Sequence, residues 1–437
     1  MSAPQKDARD HIARLTTGVA PEEIDRRLAP KFHPAPPRVP GATKTGPEVV
    51  DKRWSLVPQA AAGRASVADP ATLAAHAVYA RNIENFIGTA KIPVGLVGPL
   101  RVNGLAAQGD YYLPLATTEA ALVASYHRGA TVITESGGCT TMILNEGVSR
   151  APVFAFHTLL EAGRFVQWCI EHEGEIRTAA ESTTRHGRLQ NMRFNVEGNH
   201  VYLVLEFTTG DASGQNMVTI AAQAVCELLE TRCPVRPQYH FVEGNFSGDK
   251  KPSTQSFQTV RGKKVTAEVR VARAVVERLL HTTPERMADY WRISSIGGVL
   301  SGTIGVQGHY ANGLAALFIA CGQDAACVSE ASVGVTRFEL EEKDGGFLYA
   351  AVTLPNVIVG TVGGGTGLPS QRACLDILGL AGAGQARAFA EVCAALVLAG
   401  ELSISAAMSS QQFAKAHARL ARGRGAAKRD PDVAALE

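Results

Sequence analysis

The strongest indication of the fold is the run Val201-Tyr-Leu-Val-Leu-Glu-Phe207, which leads into the polar stretch Thr209-Gly-Asp-Ala-Ser-Gly-Gln-Asn216. β-Branched, aromatic and other apolar residues in such close succession favour a β-strand. The polar stretch is a loop with an acid, two glycines and an amide, and an apolar helical pattern continues from Met217 to about Glu230. The sequence therefore predicts a strand–loop–helix unit in which the loop carries the polar groups.

Helical and strand patterns alternate over most of the chain, which indicates an α+β (mixed α/β) protein with a small inserted domain. The predicted units are an N-terminal arm with a small helical domain (1–83), a large helix-rich domain (84–151 and 243–422), the inserted domain (152–242) and a flexible tail (423–437). A helix is also predicted over Leu115–Arg128, with Thr117 and Thr118 as candidate caps.

A second unusual stretch is Gly360-Thr-Val-Gly-Gly-Gly-Thr-Gly-Leu-Pro369, in which every second residue on average is glycine. It has no lysine after the glycines, as a Walker A loop requires, and no register matches the dinucleotide-binding pattern of a Rossmann fold. Two interpretations remain open. Either a ligand approaches this backbone closely, or the stretch is a tight turn packed through its glycines.

The composition excludes several classes of protein. The 437 residues are 46% hydrophobic and 19% charged with a net charge of +2, which argues against a dedicated nucleic-acid binder. No apolar run is long enough to span a membrane, and the N-terminus has no secretory signal. The eight cysteines are scattered without zinc-binding spacing. We therefore expect a cytoplasmic protein with free thiols and no metal.

Two acidic residues stand out among small or apolar neighbours. Glu119 lies in Leu115-Ala-Thr-Thr-Glu-Ala-Ala-Leu-Val-Ala-Ser125, where partial burial would raise its pKa and suit it to donate protons. An exposed glutamate in the first turn of a helix is an equally good interpretation. Asp324 follows an apolar helical pattern and is either a turn residue or part of a buried network, which needs a cationic partner such as Lys250.

Two basic residues complete a candidate set. Lys250 follows Gly248 and can stabilise a developing oxyanion, although Asp-Lys-Lys is also ordinary surface composition. His417 lies on the last predicted helix, where a histidine is usually structural, but a mobile C-terminal segment can deliver a general acid. Together with the two acids, these residues supply what the reduction of an activated acyl group needs: a proton donor, an oxyanion-binding cation, a carboxylate that tunes it and an acid for the leaving group.

The loops resemble those of the hydroxymethylglutaryl-coenzyme A (HMG-CoA) reductase family. The matching motifs occur in family order: ENFIGTAKIPVGLVGP (84–99), ATTEAALVAS (116–125), GDASGQNM (210–217), NFSGDKKP (245–252), GQDA (322–325), the glycine run (360–369) and LAGELS (398–403). The resemblance implies two hydride transfers from a nicotinamide cofactor that convert HMG-CoA to mevalonate and coenzyme A. It also implies a small ferredoxin-like cofactor domain rather than a Rossmann fold.

The resemblance assigns roles to individual residues. Glu119 would supply protons to the reduced carbonyl, Lys250 would polarise the thioester, Asp324 would couple to both, and His417 would protonate the coenzyme A thiolate. Contacts to NADPH would come from Arg185, Arg188, Asp211, Ser213, Gly214, Gln215, Asn216, Met217 and Arg422. Contacts to the substrate would come from Glu84, Asn85, Ser125, Arg150, Asp249, Lys251, Asn312, Gly364 and Gly365.

The wording of the motifs is closer to the first, biosynthetic class of the family than to the second class, which often uses NADH. Glu243 stands where the family has a substrate-contacting serine, and Ser409-Ser-Gln-Gln412 replaces the Gly-His of animal members. The resemblance further implies a homodimer or larger assembly whose active site lies at the subunit interface, with Glu84–Pro99 in that interface. The animal members' membrane anchor has no counterpart here, so a soluble, prokaryote-like enzyme is expected.

Overall fold

The computed structural model describes residues 5–32, 34, 36–342 and 346–410, so His417, Arg422 and the predicted tail lie outside the described residues. The helices are α1 (Gln5–Thr16), α2 (Pro21–Leu28), α3 (Pro47–Trp54), α4 (Arg64–Val67), α5 (Pro70–Ala74), α6 (His76–Tyr79), α7 (Leu122–Glu135), α8 (Leu159–Glu171), α9 (Glu173–Glu181), α10 (Gln215–Arg232), α11 (Arg273–Val275), α12 (Pro284–Ser301), α13 (Tyr310–Ala320), α14 (Val328–Ala331), α15 (Pro369–Leu378) and α16 (Ala386–Ser409).

The strands are β1 (Val94–Gly104), β2 (Gln108–Ala116), β3 (Cys139–Arg150), β4 (Val153–Ala155), β5 (Arg188–Glu197), β6 (His200–Thr208), β7 (Tyr239–Phe241), β8 (Gly262–Ala272), β9 (Val335–Glu341) and β10 (Phe347–Val357). Short 3₁₀ turns occupy Pro58–Gly63, Thr254–Phe257, Ala325–Cys327 and Gly364–Gly367, and a π-helical turn occupies Val276–Leu280.

The chain divides into two compact units, Met1–Thr89 and Ala90–Glu437. The first unit holds α1 to α6, and its buried apolar cluster consists of Val50, Ala68 and Phe86. Arg53 is buried in this unit, where its guanidinium donates to the carbonyl oxygen of Phe86 at 2.7 Å. The small cluster therefore depends on a polar anchor as well as on apolar contacts.

The second unit is built on a mainly antiparallel sheet. Along the order β7-β4-β6-β3-β8-β10-β9 every pair is antiparallel, while β1 pairs antiparallel with β2 and parallel with β3. A Rossmann fold requires a parallel sheet with crossover helices. The predicted α+β class without a Rossmann fold is thus confirmed.

The predicted strand–loop–helix unit is present as β6, a loop and α10, and it belongs to a β-α-β-β-α-β arrangement. Strands β4, β5, β6 and β7 lie in the order β7-β4-β6-β5, and α8, α9 and α10 connect them. This is the connectivity of ferredoxin-like units. These elements enclose an apolar cluster of their own, which includes Phe154, Phe165, Leu203, Val218 and Cys226.

Helix α16 runs through the larger apolar cluster of the second unit. Among the described residues it is the one helix long and apolar enough to cross a membrane, but 78% of that apolar stretch is buried inside the protein. Two of its buried residues are acids that accept main-chain hydrogen bonds. Glu391 accepts from Ala107 at 2.7 Å, and Glu401 accepts from Gly308 at 2.8 Å. These partners identify α16 as the core helix of a globular fold.

Helices α7, α13 and α16 meet at the ring of Tyr126. A Cβ atom at Gly313 would lie 2.4 Å from the ring, and a Cβ atom at Gly400 would also lie 2.4 Å from it. The Tyr126 hydroxyl donates to the carbonyl oxygen of His309 at 3.0 Å and accepts from the main-chain nitrogen of Gly313 at 2.9 Å. Glycine at these two helical positions allows the buried tyrosine to hold the three helices together.

Candidate active site

The ammonium group of Lys250 forms an ion pair with Asp324. Its Nζ atom lies 2.9 Å from Oδ2 of Asp324, and the two side chains are 40% and 43% exposed. The hydrogen bond from Lys250 to Asp324 raises the pKa of Lys250 above its usual value, although partial burial works in the opposite direction. Lys250 therefore stays protonated and points its charge into a site that solvent can reach.

Asp324 caps the 3₁₀ turn at Ala325–Cys327. Its Oδ1 atom accepts from the main-chain nitrogen of Ala326 at 3.0 Å, which leaves Oδ2 for Lys250. The sequence left open whether this acid is buried in a network or exposed in a turn. In the structure the acid is a turn residue and has the expected cationic partner, but its side chain is about half exposed rather than buried.

Glu119 is exposed, as one of its two interpretations has it, but it does not lie in the first turn of a helix. The predicted helix over Leu115–Arg128 begins too early, because residues up to Ala116 pair with β1 and the helix starts only at Leu122. Glu119 lies in the intervening loop, and its Oε2 atom accepts from the side-chain amide of Asn312 at 2.8 Å. This contact joins two residues that the sequence predicted separately for the site.

Arg150 is the centre of an acidic cluster. Its Nη1 atom lies 3.0 Å from Oδ2 of Asp249 and 3.3 Å from Oε2 of Glu243. Glu243 also accepts from the main-chain nitrogen of Phe246 at 3.1 Å, so it fixes the start of the loop that carries Lys250. Burial would raise the pKa of Asp249, but the nearby arginines outweigh it and lower that pKa.

Two residues of the site were missed in the sequence. Arg261 and Glu330 are 2% and 0% exposed and pair through Nε and Oε2 at 2.8 Å. Arg261 also contacts a carboxylate oxygen of Asp249, and Glu330 accepts from the main-chain nitrogen of Lys250 at 3.1 Å. Burial raises the pKa of Glu330 to about 7. No local pattern marks these residues, since their partners are far away in the chain.

The loop before α10 is held by Asp211. Its two carboxylate oxygens accept from the main-chain nitrogens of Gly384 at 2.8 Å and Ala386 at 3.2 Å, at the start of α16. Gly214 adopts φ 77° and precedes α10 directly. Gln215 at the first turn donates to the sulfur of Cys327 at 2.8 Å. The loop and the N-terminus of α10 therefore reach the turn that Asp324 caps.

Two arginines lie near this loop. A Cβ atom at Gly187 would lie 2.6 Å from Cε of Met217, so the chain between Arg185 and Arg188 packs on α10. Both arginines are exposed, and Nε of Arg188 lies 3.8 Å from Glu181. The backbone that carries them therefore packs on the first turn of α10, and a helix N-terminus favours an anion.

The glycine run is tightly packed at two positions and open at a third. A Cβ atom at Gly365 would lie 2.7 Å from the carbonyl oxygen of Gly322, and one at Gly360 would lie 2.7 Å from the main-chain nitrogen of Ser213. These two glycines are required for close packing. Gly364 is exposed at φ 53°, and a Cβ atom added there would have no atom beyond its chain neighbours within 4 Å. Space for a ligand therefore exists at Gly364 rather than at Gly365.

The remaining predicted residues have varied environments. Ser125 lies 2.9 Å from the hydroxyl of Ser403, in the LAGELS motif. Lys251 is exposed and donates to the carbonyl oxygen of Asp249 at 2.8 Å, and Asn216 is exposed on the first turn of α10. Within the first unit, Glu84 is exposed and Asn85 adopts φ 52°. No group of three His, Cys, Asp or Glu side chains in the described part of the chain is placed to hold a metal ion.

Comparison with known proteins shows the family. The model of the hydroxymethylglutaryl-coenzyme A reductase family matches residues 49–422. A 3-hydroxy-3-methylglutaryl-coenzyme A reductase from Methanothermobacter thermautotrophicus is 46% identical over 347 residues, which cover 78% of this chain and 86% of the relative. The reductase from Pyrococcus abyssi is 43% identical over 350 residues, covering 78% and 85%.

A solved structure shares the fold. The class II 3-hydroxy-3-methylglutaryl-CoA reductase from Streptococcus pneumoniae, bound to NADPH in open conformations, matches with a TM-score of 0.62 at 20% identity and covers 82% of this chain and 96% of its own. The family model and the relatives define the chain as an oxidoreductase. The chain belongs to the hydroxymethylglutaryl-coenzyme A reductase family, as its motifs predict.

Proposed function

We propose that the chain catalyses the NADPH-dependent reduction of (S)-3-hydroxy-3-methylglutaryl-CoA to (R)-mevalonate and coenzyme A, in the cytoplasm and for isoprenoid synthesis. The observation that carries the proposal is the ion pair of Lys250 and Asp324. Asp324 caps a turn whose last residue, Cys327, accepts a hydrogen bond from Gln215 in the proposed cofactor site. A cation that stabilises an oxyanion thus lies close to the loop proposed for the cofactor.

The proposed chemistry follows from the charges of the four catalytic residues. The Lys250 ammonium stabilises negative charge on the carbonyl oxygen, and Asp324 keeps that ammonium protonated and oriented. Glu119, held by Asn312, supplies the proton to the reduced oxygen. His417 would protonate the coenzyme A thiolate, so that the first reduction yields a neutral leaving group.

The proposed cofactor site lies in the ferredoxin-like unit, within the predicted domain 152–242. NADPH supplies hydride when bound. The residues present fit it: main-chain nitrogens at the start of α10 suit a pyrophosphate, and Arg185 and Arg188 suit a 2′-phosphate. Both carboxylate oxygens of Asp211 are engaged by α16, so we assign Asp211 to holding the loop. Ser213, Asn216, Met217 and Arg422 complete the proposed set.

The substrate would occupy the charged cluster and the open part of the glycine run. Arg150, Lys251 and Asn312 offer cationic or amide groups to its carboxylate and hydroxyl, and Asp249 orients Arg150. At Gly364 an added Cβ atom would meet no other atom within 4 Å beyond its chain neighbours, so we assign this open backbone to the substrate as well. We assign Ser125, Glu84 and Asn85 to the same substrate from the motif resemblance alone. The first-class assignment likewise rests on motif wording, and the archaeal relatives at 43–46% identity agree with a prokaryote-like enzyme.

We further propose a homodimer or larger assembly. Helix α12 exposes an apolar face formed by Ile293, Ile296, Val299 and Leu300, which are 73%, 64%, 78% and 82% exposed. In the proposed interface segment 84–99, Ile87, Ile92, Val94 and Leu96 are exposed as well. An exposed apolar helix face such as that of α12 favours an interaction site.

The cofactor assignment is tested by initial rates with HMG-CoA and each reduced cofactor. We expect NADPH to be preferred by at least about tenfold in kcat/KM, because Arg185 and Arg188 are proposed to bind the 2′-phosphate and one such contact contributes a factor of this order. A large preference for NADH would instead favour the degradative, NAD-dependent direction. No consumption of either cofactor would indicate a catalytically silent homologue that only binds coenzyme A.

A further inference from the structure

The segment from Asp324 to Glu330 contacts both the side chain and the main chain of Lys250. Asp324 binds the ammonium group at 2.9 Å, and Glu330 accepts a hydrogen bond from the main-chain nitrogen at 3.1 Å. Asp324 caps the 3₁₀ turn at Ala325–Cys327, and Glu330 lies in the short helix α14 that follows this turn directly. One rigid segment therefore determines both where the lysine backbone lies and where its charge points.

The main chain of Lys250 needs such a contact. Lys250 adopts φ 57°, a left-handed conformation that costs free energy for any residue with a side chain. A conformation of this kind persists only where surrounding contacts enforce it. Since the Lys250 side chain is itself 40% exposed, burial of that side chain cannot supply the constraint.

Glu330 is well placed to supply it, because it cannot move. The residue is fully buried, and its second oxygen is fixed by Nε of Arg261 at 2.8 Å. Arg261 is fixed in turn by the carbonyl oxygen of Ser149 at 2.7 Å and by Asp249, the residue before Lys250. A buried carboxylate with two charge-assisted hydrogen bonds is a rigid acceptor.

We propose that Glu330 is a positioning residue of the reductase site, which fixes the main chain of Lys250 so that its ammonium group meets both Asp324 and the substrate carbonyl. Neither the ion pair with Asp324 nor the motif around Lys250 includes this residue. The inference rests on the proposed role of Lys250 in carbonyl reduction. It predicts that Glu330 affects every reduction in which Lys250 takes part.

The positioning role of Glu330 depends on the negative charge of its carboxylate. The groups that face it are Arg261, the main chain of Lys250, Asp249 and the thiol of Cys327. Burial raises the pKa of Glu330 to about 7, and burial raises that of Cys327 to about 12, so Glu330 alone among these titrates near neutrality. Protonation would weaken both of its charge-assisted hydrogen bonds. The reduction of carbonyl substrates should therefore decline as the pH falls through about 7.

The test is Glu330→Gln, assayed with HMG-CoA and with mevaldehyde, the free aldehyde intermediate. We expect kcat to fall about tenfold or more with both substrates while KM changes little, because the loss acts on Lys250 during reaction. The decline of mevaldehyde reduction below about pH 7 should disappear in the variant. A matched control is Glu391→Gln, which removes another buried acid bound to main-chain nitrogens and should lower stability without this pattern.

Three results would overturn the proposal: a folded Glu330→Gln protein with kcat within about twofold of wild type, a loss confined to the thioester substrate, or a pH dependence that survives the substitution. If the variant does not fold, the wild-type profile with mevaldehyde decides, since a flat profile between about pH 6 and 8 contradicts the role. A wild-type protein that reduces neither substrate would refute the proposed function instead.

Discussion

At the scale of single residues, the ion pair of Lys250 and Asp324 is organised for chemistry rather than for stability. Both partners are about two-fifths exposed, and exposed pairs of this kind contribute little to the free energy of unfolding. The same exposure leaves the ammonium group open to a substrate. Its effect is expected in the protonation of Lys250, whose pKa the Asp324 carboxylate raises.

The substitution Asp324→Asn tests this effect. The raised pKa keeps Lys250 protonated to higher pH, so the activity that depends on its charge should persist into the alkaline range and end only above the pKa. Without the carboxylate, the alkaline decline of kcat/KM for HMG-CoA should move to lower pH, and the plateau should fall about tenfold or more. The measurement is a pH–rate profile for both proteins.

Asp376→Asn is the control for this profile, because Asp376 also pairs with an exposed cation, Arg372, but lies on α15. Its profile should match that of the wild type. If the alkaline decline of kcat/KM stayed at the same pH in Asp324→Asn, Asp324 would not raise the pKa of Lys250 as proposed.

The sequence predicted the charged groups of the site better than their surroundings. Lys250 and Asp324 were expected to pair because a buried acid at position 324 would need a cationic partner, and the structure pairs them. The environment of Glu119 stayed open between burial and exposure, because small apolar neighbours occur in exposed loops as well as in buried helices. Glu330 and Arg261 could not be found, because their roles depend on contacts across 80 and 12 residues with Lys250 and Asp249.

At the scale of elements, the contact of α7, α13 and α16 through Tyr126 should be sensitive to single methyl groups. Gly400→Ala places a Cβ atom 2.4 Å from the buried ring, so helix α16 or the ring must shift. Overpacking of this kind costs about 1–3 kcal/mol, which exceeds the gain of about 1 kcal/mol that alanine brings to a helix. We expect a net loss of stability in chemical denaturation.

The control for this substitution is Gly163→Ala on α8. Gly163 is exposed, and beyond its chain neighbours and the backbone of its own helix no atom lies within 4 Å of an added Cβ atom. The same change should therefore leave stability unaltered or raise it by up to about 1 kcal/mol. Equal changes in stability at Gly400 and Gly163 would show that the contact with Tyr126 does not cause the loss.

The success of the element predictions depended on how far the local pattern alone specifies structure. The run Val201–Phe207 and the polar loop after it were sufficient, since β6, a loop and α10 are present there. The stretch from Leu115 to Arg128 was not sufficient. Its first residues extend β2 against β1, a partner that the local pattern does not reveal.

At the scale of the whole molecule, the exposed face of α12 predicts self-association. Leu300→Glu introduces a charge at a residue that is 82% exposed in the single chain, so it should not disturb folding. If the face is covered by a second copy, burying that charge is costly and the assembly should dissociate. Light scattering after size-exclusion chromatography should show a dimer or larger species for the wild type and a smaller species for the variant.

Leu160→Glu on α8 is the matched control, since Leu160 is 64% exposed outside this face. It should leave the assembly intact. A wild-type protein that is monomeric at micromolar concentration would exclude the proposed assembly, and unchanged assembly in Leu300→Glu would place the interface elsewhere.

The whole-molecule arrangement was predictable only in part. The α+β class followed from alternating patterns, and it is confirmed. The sheet that joins the ferredoxin-like unit to the rest through β3 was not predicted, because strand order depends on contacts between distant segments. The predicted domain boundaries remain predictions.

The side chain of Gln323 pairs with Gly360 much as a neighbouring strand would, donating to its carbonyl oxygen at 2.9 Å and accepting from its nitrogen at 2.8 Å. Further along the same run, Gly365 lies against Gly322 without room for a side chain. In protein engineering, the glycine run and the stretch around Gln323 should therefore be exchanged together. A chimera that takes the glycine run from a distant relative must take the stretch around Gln323 with it, or Asp324 will lose its place beside Lys250.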